Sequence, residues 1–89
     1  MNYSDLKITK PKSVEELTRL WQELLGTPPA REQFAYWTAA HGAEATERAV
    51  VRTGRKKLAL GGRMDADYQV RYTSSVLNNM KTQQETTHV

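Results

Sequence analysis

Seven cations crowd residues 48 to 71, namely Arg48, Arg52, Arg55, Lys56, Lys57, Arg63 and Arg71, against only Asp65 and Asp67. Lysine and arginine hold phosphates by displacing the counterions condensed on a polyanion. Arg55, Lys56 and Lys57 are consecutive and cannot all point inward, which makes them the best phosphate candidates. Arg71 is followed directly by Tyr72, and further along the same predicted helix stand Asn79 and Lys81. Rings and hydrogen-bonding groups beside cations can engage unstacked bases. The chemistry on offer is nucleic-acid binding through Arg52, Arg55, Lys56, Lys57, Arg63, Arg71, Tyr72, Asn79 and Lys81. The plainer alternative for any run of charge is a solvated helix face.

Other chemistries find less support. There is no cysteine, and the two histidines, His41 and His88, are far apart, so a metal site has no local signature. Ser74, Ser75 and the nearby threonines lack a plausible base, and Asp65 and Asp67 are more economically helix caps than acid–base groups. Gly61-Gly62 lacks the spacing of either nucleotide-binding glycine motif. His41 precedes a helix-ending glycine, where a cationic imidazole complements the helix dipole. The expectation is a non-enzymatic protein without cofactor or metal.

Eighty-nine residues bound the chain to a single domain at most. Without cysteine no disulfide staple exists, which is compatible with a reducing interior, and no apolar run approaches the roughly 20 residues needed to cross a bilayer. A cytoplasmic protein with no membrane partner is expected. The net charge of +3 is unevenly spread: residues 13 to 47 hold two arginines against six glutamates, a balance of −4, and residues 48 to 71 a balance of +5. Such polarity places a polyanion footprint on the second half, with an acidic flank that limits its extent.

These residues need elements to hold them. Residues 1 to 12 are polar, cationic at Lys7, Lys10 and Lys12, and broken by Pro11, an arm without its own fold. Ser13-Val14-Glu15-Glu16 is a capping box that starts a first helix, which carries Val14, Leu17, Leu20, Trp21, Leu24 and Leu25 at helical spacing and closes at Gly26. After Thr27-Pro28-Pro29, a second helix is predicted from about Ala30 to His41, with Phe34, Trp37 and His41 on one face and Gly42 ending it. A third, from about Ala43 to Thr53, turns Ala45, Ala49, Val50 and Thr53 inward and should pack centrally. Gly54 to Arg63 reads either as a helical extension followed by a turn or as a mobile loop. Asp65 or Asp67 then caps a last helix carrying Tyr68, Tyr72, Val76, Leu77 and Met80 to about Thr82, after which residues 83 to 89 form a fraying polar tail. The row Tyr72, Val76, Met80 must either complete the core or meet a partner. Trp21 and Trp37 are expected in the core.

The order of a leucine-rich helix, a Gly-Thr-Pro-Pro turn, a helix ending in Tyr36-Trp37-Thr38-Ala39-Ala40-His41-Gly42, an alanine-rich helix with Glu47-Arg48-Ala49-Val50, and the helix Tyr72-Thr73-Ser74-Ser75-Val76-Leu77-Asn78-Asn79-Met80 resembles the C-terminal domain of the DnaD family of primosomal replication proteins and phage replisome organisers. The likeness spans about Leu17 to Lys81, and Met80 stands where that family usually has tryptophan. It implies that the last helix, its extension and neighbouring basic residues bind DNA, and that the same domain contacts replication-initiator proteins.

The expected fold is therefore all-α, a compact bundle of four principal helices over residues 13 to 82. The expected function is that of a small DNA-binding or replication-associated adaptor, taking single- or double-stranded DNA with weak sequence specificity. A second reading is a protein–protein module of a phage or plasmid that docks on a replication or host factor. A third, a helix-turn-helix regulator across Phe34 to Gly54, is disfavoured by Glu44 and Glu47 at the end that would enter the groove.

Overall fold

A computed structural model describes residues 13–87, with side chains through Thr82. The N-terminal arm and His88 lie outside the described residues. Four α-helices make up the domain: α1 (Val14–Leu25), α2 (Arg31–His41), α3 (Ala43–Ala59) and α4 (Ala66–Thr87). Among the described residues there is no strand, and no helix is long and apolar enough to cross a membrane.

α1 begins at the predicted capping box. The Glu16 amide donates to Ser13 Oγ at 3.2 Å, and the Ser13 amide donates to Glu16 Oε1 at 3.3 Å, so two free helix-end donors are satisfied reciprocally. Gly26 closes α1 at φ 100°. The connector is pinned by Trp21, whose Nε1 donates to the Thr27 carbonyl at 3.1 Å. Gly42 is the single residue between α2 and α3, at φ 91° and ψ 153°, a region open essentially to glycine alone. Its amide donates to the Thr38 carbonyl at 2.9 Å, and its own carbonyl accepts from the amide and hydroxyl of Thr46.

The third helix does not stop at Thr53. Gly54 keeps a helical backbone outside the positive-φ region, and α3 runs on through Arg55, Lys56 and Lys57 to Ala59. Of the two readings of this segment, the helical extension is the one observed. The glycine serves packing: a Cβ there would lie 3.3 Å from Leu24 Cβ, so its absence lets α1 approach α3 closely. The chain turns instead at Gly61 and Gly62, with φ 67° and 84°, where the Gly62 amide donates to the Lys57 carbonyl at 2.8 Å. Asp65 caps α4 by accepting from the Tyr68 amide at 2.8 Å. α4 continues to Thr87, so residues 83 to 87, expected to fray, belong to the helix.

α3 packs against all three other helices, as its small inward residues require. Leu17, Trp21, Leu25, Phe34, Trp37, Ala49, Val50, Val76 and Leu77 form the core. Trp21 and Trp37 stack at 6.0 Å between ring centroids, and Phe34 meets both edge-on at 5.8 and 5.7 Å. On α4 the fully buried positions are Gln69, Thr73 and Leu77, with Val76 beside them. Of the row Tyr72, Val76 and Met80, which could complete the core or meet a partner, only Val76 is buried. Tyr72 and Met80 are only partly buried, packed at the core's edge.

Candidate nucleic-acid interface

Helical geometry sorts the cations. On α3, residues 46, 49, 50, 53 and 54 face inward, so Arg48, Arg52 and Arg55 fall on the opposite, solvent side at spacings of four and three. All three are exposed, and Arg52 and Arg55 make no ion pair with a described residue. Arg48 is held by Glu44, one turn back, at 2.7 Å. It belongs to the same stripe but is absent from the residues expected to bind; its spacing of four from Arg52 was visible, and the continuation of the helix past Gly54 adds Arg55 to the row.

The neighbours Lys56 and Lys57 have different surroundings. Lys57 points beneath α1, where its ammonium donates to the Leu25 carbonyl at 3.2 Å, capping the end of that helix. Gln69 Nε2 donates to the same carbonyl at 3.4 Å and to the Met64 carbonyl at 2.8 Å. Lys57 is thus engaged in holding α1, α3 and α4 together. Lys56 turns outward to α4, its Nζ 6.0 Å from the centre of the Tyr72 ring.

Tyr72 is half-buried and open beside Lys56, not enclosed by Trp21 and Trp37, which stack on each other and meet Phe34 edge-on. Its ring meets that of Tyr68 at 6.4 Å, and Tyr68 is 43% exposed. Tyr68 is a second residue missing from the candidates, although its spacing of four from Tyr72 was visible. Both rings line a shallow depression on the outer side of α4 together with Asp65, Asp67, Arg71 and Ser75. Asp67 forms an ion pair with Arg71, which limits the charge Arg71 can offer. The two aspartates leave the α3 side of this face, with Arg52 and Lys56, as its electropositive part.

The remaining candidates lie elsewhere. Arg63 is exposed in the turn between α3 and α4. Asn79 is exposed two turns beyond Tyr72 along the same outer face of α4. Lys81 is on another side, toward the end of α2, where its charge reaches His41. Burial first, and Lys81 second, lower the His41 pKa from its ordinary value near 6.5. The imidazole is therefore held toward its neutral form, not the cationic cap expected from its position, and the end of α2 is capped by the Gly42 amide.

Arg52, Lys56, Tyr68, Tyr72 and Asn79 thus share the outer face of the α3–α4 pair, bordered by Arg48 and Arg55. Lys57, Arg63 and Lys81 do not join them. No group of three or more potential metal ligands occurs among the described residues. No protein-family model, curated protein or solved structure matches this chain.

Proposed function

We propose that this domain binds DNA without catalysis, through the outer face of α3 and α4. The observation that carries the reading is the placement of Lys56 beside the paired rings of Tyr72 and Tyr68 on an open surface. Arg52 and Lys56 neutralise phosphates, the tyrosine rings meet unstacked bases, and Asn79 orients the strand further along. Phosphate contacts and ring stacking dominate this face and carry little base identity, so sequence specificity is weak. The resemblance of the Tyr72–Met80 segment to the last helix of the DnaD family's C-terminal domain points the same way. It also suggests a replication initiator as a protein partner.

Fluorescence anisotropy with labelled single- and double-stranded oligonucleotides at two salt concentrations tests the proposal. Affinity should fall steeply with salt, and Lys56→Met should reduce the log–log slope by about 0.7 to 0.9. Absent or salt-independent binding would sink it. The alternative, a protein–protein module, is favoured by one separate observation, the exposure of Leu58 and Leu24 on the α1–α3 side. Capture of a defined replication factor with no nucleic acid present would support that reading.

A further inference from the structure

Leu58 is 81% exposed and Leu24 is 40% exposed, and neither belongs to the proposed DNA face. They are neighbours. Leu24 lies over Gly54, and Leu58 follows Gly54 by one turn on the same side of α3. Val51 and Leu20, both partly buried, extend the strip along α3 and α1. The result is an apolar strip along the groove between the two helices. At the end where Leu24 and Leu58 lie, its two borders differ in charge. Next outward from the leucines stands Glu23 on α1 and Arg55 on α3. Both are exposed and without an ion pair among the described residues, whereas Glu15, Glu44 and Asp67 are all paired.

We propose that this strip is the contact between two copies of the chain, related by a two-fold axis that runs along the groove. That rotation lays α1 of one copy over α3 of the other. Each Glu23 then faces Arg55 of the second copy, and the leucines meet in the middle. A two-fold axis across the groove would set acid on acid and base on base, and a partner helix of one charge sign would match only one border. The contact is small, so the dimer is weak and reversible. Arg52, Lys56, Tyr68 and Tyr72 stay uncovered on both copies, so the pairing is independent of whether that face binds DNA.

Sedimentation velocity on the full chain, from micromolar to millimolar concentration at low salt, tests the pairing. A monomer at the low end should give way to a dimer at the high end, and Leu58→Asp should weaken dimerisation by about ten-fold or more. Glu23→Arg and Arg55→Glu should each weaken it by about two- to five-fold, while the two together restore it, because the pair is only exchanged. All three side chains are exposed, and helical circular dichroism checks that each variant keeps its fold. A chain that stays monomeric at millimolar concentration overturns the proposal. So does a dimer indifferent to Leu58→Asp, or a double charge reversal as weak as its two halves combined.

Discussion

Between α1 and α2 the interior is aromatic, with Trp21 and Trp37 stacked and Phe34 edge-on to both. Between α3 and α4 a polar cluster is added to the buried Ala49, Val50, Val76 and Leu77. Thr53 and Thr73 hydroxyls meet at 2.7 Å, and each also lies within bonding distance of a carbonyl one turn back, Ala49 for the first and Gln69 for the second. Two hydroxyl protons can fill only two of these three contacts at a time. Gln69 adds two donated bonds but leaves its buried Oε1 without a partner among the described residues, and turning the amide over would set that oxygen against two carbonyls. The aromatic half gains from burial, which is non-directional and tolerant of small shifts. The polar half gains little net from its bonds but loses heavily if they are misaligned, so it fixes the register of α4 on α3. That register sets Tyr72 beside Lys56.

The largest test of this contrast is Trp37→Ala, which should cost about 3 to 5 kcal/mol in urea denaturation. It removes the stacked ring and the indole donor that reaches Ser74 Oγ at 3.1 Å. A smaller effect should separate the two adjacent lysines. Lys57→Met should cost about 1.5 kcal/mol by leaving the end of α1 without its charged donor, with DNA affinity nearly unchanged. Lys56→Met should do the reverse, leaving stability within about 0.5 kcal/mol while lowering affinity. Equal effects of the two changes on DNA binding would erase the distinction drawn between them. Within the polar half, Thr73→Val and Thr53→Val should each destabilise by about 1 kcal/mol, and the double variant should lose less than the sum, since the shared hydroxyl contact is removed only once. Additive losses in that cycle would show that the two hydroxyls do not act as a pair.

The smallest effect expected is on pH. His41 has a lowered pKa in the folded chain, so the unfolded chain binds its proton first as the pH falls. The contribution is fully present above about pH 6.5 and is lost as the pH falls through the lower folded value. His41→Gln should flatten that part of the stability profile, measured as the urea midpoint between neutral and mildly acidic pH. Lys81→Met should reduce the shift but leave part of it, because burial is the larger cause.

Much of the fold was legible from residue spacing. The capping box at Ser13, the apolar face of α1, the break at Gly42 and the two core tryptophans all follow from local rules that hold whatever the rest of the chain does. Gly54 was not legible in the same way, since a glycine that ends a helix and one that admits a neighbouring helix look alike in sequence. The buried row of α4 was not legible for a related reason. Apolar type alone favours Tyr72 and Met80 as core, whereas Gln69 and Thr73 are inside because α1 and α3 supply their partners.

The candidate site divides along the same line. That clustered cations and tyrosines follow one another between Arg48 and Lys81 is a property of the chain alone, and so is the strong helical tendency that orders them. Which lysine supports α1 and which lies beside Tyr72 depends on how three helices meet around Leu25, and Lys56 and Lys57 are indistinguishable until they do. Side chains one residue apart on a helix point about 100° away from each other, so only packing determines which of them is left facing solvent.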